Sequence, residues 1–318
     1  MSRTRRLRLL SLTFVFGLLV PILVACGGTA TATVAPGAGA AVPAANSSVT
    51  INVGTKDFAE EYIVGNMYKL LLEEVGYKVV LKTDLPTAAA QKAMETKELD
   101  LYPEYTGTGL VTVLKLPAQS DAKAVFDAVS KGYKEKYNFT WLDAAPMNNT
   151  QAFAMTADKS TQLGVKTLSD MAGKAGQLTM IGPAECAERE DCLKGLVGAY
   201  GGFKLKEYKG ADAGLRYQAL TSGQADVVVA FGTDGELAQY KLVVLQDDKN
   251  FFPNYALAPV VRQEVLDKNP AIKDILNKLA PKMTNDVMQR LNNEVTGNKK
   301  EPAAVAKQFL QEQGLIKK

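Results

Sequence analysis

Tyrosine, arginine and cysteine hold the chemical interest of this sequence, because histidine does not occur in it. That absence removes Ser-His-Asp and Cys-His nucleophile pairs, His-ligated zinc and the commonest general base. A carboxylate-dependent enzyme built on residues such as Glu104 or Asp234 remains open, and it would need two carboxyls of perturbed pKa in one cleft. In "YPEYTGTG" two tyrosines and a proline end a strand before a Thr/Gly turn. An aromatic at a strand end either roofs a core or faces a ligand, and these eight residues leave both open for Tyr105. In "ECAEREDC" two cysteines, Cys186 and Cys192, stand three residues to either side of Arg189.

The elements that position these residues begin after a leader. "MSRTRRLR" is a positive segment, "LLSLTFVFGLLVPILV" an apolar one, and "LVAC" follows at once. This order is a secretory signal over residues 1–25, too short and Pro-broken for a spanning helix. The cysteine after Leu23-Val24-Ala25 fits a bacterial lipoprotein signal, so Cys26 is expected to carry lipid and anchor the protein outside the cytoplasm. Residues 26–47 are uncharged Gly, Thr, Ala, Val and Pro, and read as a flexible tether. Four of the 37 basic residues (Arg3, Arg5, Arg6, Arg8) precede Cys26, which leaves 33 against 34 acidic ones. The mature chain is nearly neutral, with no nucleic-acid footprint. Cys186 and Cys192, the cysteines not assigned to lipid, are expected to be paired in an exported protein.

From Val49 a period-2 strand, a helix ending at Gly76, the strand "KVVLKTD", the helix "TAAAQKAMETKE" and the strand "LDLYPEY" alternate. This β-α-β-α-β order predicts an open, largely parallel sheet flanked by helices. Further strands are expected at "AFAM", "LTMIG", "ADVVVAF" and "LVVL", and the C-terminal stretches "DILNKLAPKMTNDVMQRLNNEV" and "PAAVAKQFLQEQG" read as helical. The sequence also aligns with itself: "QKAMETKELDLYPEYTGTG" lies over "YQALTSGQADVVVAFGTDG". Asp100 meets Asp226, Tyr105 meets Phe231 and Gly109 meets Gly235. Two lobes on one plan would each place an aromatic where a strand runs out, the end at which open α/β sheets bind ligands.

Five ordered stretches, "GTKDFAEEYIVGNM", "DLYPEYTGTGL", "GPAECAEREDCLKGL", "LRYQALTSGQADVVVAFGTDGEL" and "FFPNYALAPVV", resemble the substrate-binding proteins of osmoprotectant ABC transporters. The resemblance runs from Ile51 onward. It implies a two-lobed periplasmic-binding-protein fold of type II kind, with a ligand cleft between lobe 1 (48–148 plus 256–318) and lobe 2 (149–255). It implies a glycine betaine, choline or carnitine-like ligand, an ABC permease as partner, a monomer, no cofactor and no catalysis. A quaternary ammonium cannot donate N–H bonds, so aromatic faces hold it. Position by position, Tyr105 and Tyr255 match cage tyrosines. Phe231 and Gln151 stand where the family usually has tyrosine, so one hydroxyl and one whole ring face are missing. Arg189, Lys56 and Thr108 match carboxylate-binding positions. The family usually has an aromatic and a glycine where Cys186 and Cys192 stand, and that joint change implies a disulfide holding Arg189. A ligand sensor without transport is the alternative on the same fold.

Overall fold

The computed structural model describes residues 44–317. The expected signal and Cys26 lie outside the described residues. Residues Ala44–Ser48, partly expected as tether, form a 3-10 turn. The Asn46 side chain donates to the Val75 carbonyl at 2.9 Å, which fixes the turn to the end of the first helix.

Ten strands form two five-stranded sheets. The first contains β1 (Thr50–Gly54), β2 (Lys78–Lys82), β3 (Leu101–Tyr105), β4 (Phe139–Trp141) and β10 (Leu257–Arg262), in the order β2-β1-β3-β10-β4. The second contains β5 (Gln151–Met155), β6 (Thr179–Gly182), β7 (Glu207–Gly210), β8 (Val227–Phe231) and β9 (Val243–Val244), in the order β7-β6-β8-β5-β9. In each sheet four strands run one way and one, β10 or β5, runs against them, so the largely parallel sheet expected is made mixed by a single reversed strand. The chain reaches β5 and β10 by crossing from the other sheet, with no helix between, so each joins antiparallel to β8 and β3 respectively. The strand at "LAPVVR" was not foreseen. All six of its residues are buried, so it shows no alternation to read.

The aligned segments occupy the same place in both sheets. A helix, Thr87–Glu95 or Ala213–Thr221, leads through a left-handed residue, Lys97 (φ 66°) or Gly223 (φ 76°), into the central strand β3 or β8. Asp100 and Asp226 do the same work at the strand start: each carboxylate accepts from a backbone N–H of the neighbouring strand, Asn52 at 2.7 Å and Thr179 at 2.9 Å. The expected Thr-Gly turn after Tyr105 is instead helical, over Thr106–Thr108 and a π-turn Gly109–Val113.

The Ala59–Glu74 helix lays Ile63, Met67 and Leu71 on the first sheet and packs against the C-terminal helices. Each such residue fully buried contributes about 1.5–3 kcal/mol. The C-terminal stretch expected as helical is broken: Ala271–Asn277, a 3-10 turn Ala280–Lys282, then Asn285–Thr296. Pro281 has no N–H to continue the first helix, and Thr284 caps the next through its side chain. This last helix belongs to the first lobe's core and reaches the second lobe with its other side.

Candidate functional site

One cleft of about 670 Å³ is lined by Lys56, Tyr105, Thr108, Gln151, Arg189, Phe231 and Tyr255 together. Tyr105 ends β3 and Phe231 ends β8, so the central strand of each sheet delivers one ring to it. Gln151 opens β5 opposite Phe231. Tyr255 lies in the segment returning to the first lobe, where its backbone carbonyl accepts from Asn149 N–H at 3.1 Å in the outgoing segment.

On the first-lobe wall the Tyr105 hydroxyl donates to Glu60 at 2.7 Å, and its ring stacks on Phe58 with centres 6.2 Å apart. Glu60 also accepts from the amides of Asn149 at 3.0 Å and Asn292 at 2.8 Å. No basic side chain pairs with Glu60, and burial raises its pKa above the usual carboxylate value despite these donors. Lys56 sits 5.1 Å from the Tyr105 ring centre and is ion-paired with the fully buried Glu104. Beside it, Glu61 is pushed up to about 8 by burial and by Glu104, against the pull of Lys56. Thr108 is buried at the end of the helical turn that follows Tyr105.

On the other wall each nitrogen of Arg189 makes one hydrogen bond. Its Nε and Nη2 take both oxygens of Asp191 at 2.7 and 2.6 Å, and its Nη1 bonds Glu185 at 3.0 Å. Asp191 is buried. The Arg189 guanidinium and the Tyr255 hydroxyl, which donates at 2.8 Å, hold its pKa low against the cost of burial. The Gln151 amide donates to the Asp191 carbonyl at 2.6 Å and to the Tyr255 oxygen at 3.1 Å. Gln151 therefore braces Tyr255. A disulfide joins Cys186 to Cys192 with Cα atoms 5.2 Å apart, and closes the loop that carries Arg189 and Asp191. Tyr255 packs closely on Gly107, where a Cβ would stand 2.7 Å from the ring.

Several lining residues were not singled out in the sequence. Glu60 lies in the quoted "GTKDFAEEYIVGNM" but was given no role, and neither was Asn149. Arg216 lies in the quoted "LRYQAL" one residue before the self-aligned segment. Its guanidinium stands 5.0 Å from the centres of both the Phe231 and Tyr217 rings and bonds Asp234 at 2.6 Å. The repeat gave no signal for it: Arg216 falls opposite Ala90 just outside the aligned segments, and its place beside Phe231 depends on the fold.

Residues 49–312 match the family described as the substrate binding domain of the ABC-type glycine betaine transport system. The chain is 36% identical over 265 residues to the ergothioneine transport permease/ergothioneine binding protein EgtU of Helicobacter pylori, covering 83% of this chain and 47% of that one. Thus the chain spans about half the length of that relative. It is 36% identical over 270 residues to the carnitine transport binding protein OpuCC of Listeria monocytogenes, covering 84% of this chain and 87% of that protein. A crystal structure of a glycine betaine/carnitine/choline ABC transporter component superposes with TM-score 0.70 at 32% identity, over 83% of this chain and 99% of that one.

Proposed function

The chain belongs to the family of substrate-binding domains of ABC-type glycine betaine transport systems, and from that premise we propose that it captures a small quaternary-ammonium or zwitterionic osmolyte and delivers it to an ABC permease. The observation that carries this reading is the cleft: strand-end rings from both sheets, Tyr105 and Phe231, face one volume with Tyr255, and a ring face attracts a methylated cation that cannot hydrogen-bond. Lys56, Thr108, Gln151 and Arg189 complete its walls. The two segments that cross between the sheets act as the hinge, and contacts to the ligand from both lobes stabilise the closed form. The protein works as a monomer, catalyses no reaction and is held at the outer face of the membrane by lipid on Cys26.

The ligand class has room for more than the smallest betaine. Gln151 stands in place of a ring; its amide N–H groups go to the Asp191 carbonyl and the Tyr255 oxygen, and its side-chain oxygen is an acceptor beside Tyr255. A ligand with a polar group near or beyond its cation suits that corner. A thermal-shift and calorimetric panel of glycine betaine, carnitine, choline, ergothioneine and free amino acids tests the reading. Saturable binding of at least one quaternary ammonium compound is expected, and a preference for a primary amino acid over every one of them would overturn it. Replacing Cys26 with Ala is expected to release exported protein from the membrane fraction, and retention as firm as wild type would remove the lipid anchor.

A further inference from the structure

Three basic side chains line the cleft, and they differ in how many of their donors the protein already uses. Arg189 has Nε, Nη1 and Nη2 all bound to Asp191 or Glu185. Lys56 is held by Glu104. Arg216 is only 4% exposed, gives Nη2 to one oxygen of Asp234, and keeps a buried Nε–H with no partner. A buried, unpaired donor on a cation carries a desolvation penalty that an acceptor would relieve.

The Arg216 group is also held in place. Its Cζ is 5.0 Å from the ring centres of Phe231 and Tyr217, so two aromatic faces fix its plane. Asp234, which fixes one edge, is itself bound by the Phe231 N–H at 2.9 Å and by the Tyr217 hydroxyl. A planar guanidinium fork held in advance matches a carboxylate better than a flexible ammonium does. Across the cleft Lys56 stands 5.1 Å from the Tyr105 ring centre. Each lobe thus offers a strand-end ring with a cation over it.

Building on the osmolyte reading above, we propose that Arg216 is the second lobe's contact for the carboxylate of a zwitterionic ligand, while Arg189 is a positioning residue for the wall formed by Asp191, Tyr255 and Gln151. The carboxylate takes donors that Arg216 does not give to Asp234, and it links the two lobes through Arg216 and Lys56, which line the same cleft.

Calorimetry of the full chain with glycine betaine and with choline tests this, because the two share a trimethylammonium and differ in bearing a carboxylate or a hydroxymethyl group. Arg216→Lys keeps the charge beside Asp234 but loses the fork. It is expected to weaken glycine betaine about 10- to 100-fold while choline changes less than about threefold. Arg189→Gln is expected to shift both ligands alike. Equal losses for the two ligands in Arg216→Lys, or no loss, would overturn the proposal. In labelled wild type the Arg216 Nε–H resonance is expected to move with glycine betaine and to stay with choline. A resonance indifferent to glycine betaine overturns the proposal even where the variant fails to fold. A wild type that binds choline alone removes the carboxylate subsite, and one that binds neither removes the osmolyte reading as well.

Discussion

At the scale of single residues the cleft is a set of rings and charges whose partners are already assigned. Tyr105 and Tyr255 both place their hydroxyls on buried carboxylates, Glu60 and Asp191, which orients each ring beside the cleft. An aromatic face over a desolvated cation contributes about 1–2 kcal/mol, so Tyr105→Ala or Tyr255→Ala is expected to weaken binding about 5- to 30-fold by calorimetry. Tyr255→Phe keeps the ring and strips the hydroxyl from Asp191 and Gln151, so it separates the contribution of the face from that of the network. Gln151→Tyr is expected to shift preference toward glycine betaine, read as the ratio of its affinity to that of carnitine. An unchanged ratio would show that the corner under Tyr255 takes no part in selection. The structure explains why such a change has a cost of its own: Gln151 is the donor that holds both the Asp191 carbonyl and the Tyr255 oxygen.

Among the elements, the Asn285–Thr296 helix couples the lobes. It is anchored in the first lobe's core through Met288 and Leu291. Its other side carries Asn285, Gln289 and Asn292, spaced four and three residues apart and therefore on one face. The amides of Asn285 and Gln289 donate to the Gly232 carbonyl at 3.4 and 2.9 Å, and that of Asn292 to the Thr233 carbonyl at 2.8 Å. Gly235 lets the two backbones meet, since a Cβ there would lie 2.7 Å from the Asn293 Cβ. This seam joins the loop just after Phe231 to the first lobe, and Asn292 carries it into the cleft through Glu60. Each neutral hydrogen bond contributes about 0.5–1.5 kcal/mol. Gln289 does not itself line the cleft, and Gln289→Ala is therefore expected to lower ligand affinity about 2- to 10-fold by favouring the open form, with a larger radius of gyration in small-angle scattering of the liganded protein. Unchanged affinity and scattering would mean that the seam does not contribute to closure. The disulfide works on the opposite wall, where it ties down the loop that carries Arg189 and Asp191.

For the whole molecule, stability follows from two lobes that each bury their own core, and its pH dependence follows from carboxyls inside them. Glu61 is fully buried with a pKa of about 8 against an ordinary 4.5, raised first by desolvation and lowered by Lys56. A carboxyl raised on folding contributes stability that is fully present below about 4.5 and is lost as pH rises through about 8. The loss is on the order of a few kcal/mol. Thermal unfolding between pH 5 and 9 is expected to show a falling Tm that flattens in Glu61→Gln; an unaltered slope would place the titration elsewhere. The sequence by itself determined the family, the alternation of strands and helices, and the internal repeat, because those reside in local periodicity and in motifs carried whole along the chain. It also marked Tyr105, Phe231, Tyr255, Gln151, Arg189, Lys56 and Thr108, which the fold gathers in one cleft. What it left undecided depends on distance in space. The antiparallel entry of β5 and β10 depends on which sheet a crossing segment joins, and local pattern is blind to that. The pairing of Arg189 with Asp191, of Lys56 with Glu104, and of Arg216 with Asp234 depends on which carboxylate the tertiary structure brings within hydrogen-bond reach. Charged residues adjacent in sequence, Glu188 and Glu190 beside Arg189, are not its partners. Only burial beside Tyr255 selects Asp191, because a buried carboxylate must find a donor while exposed ones are satisfied by water.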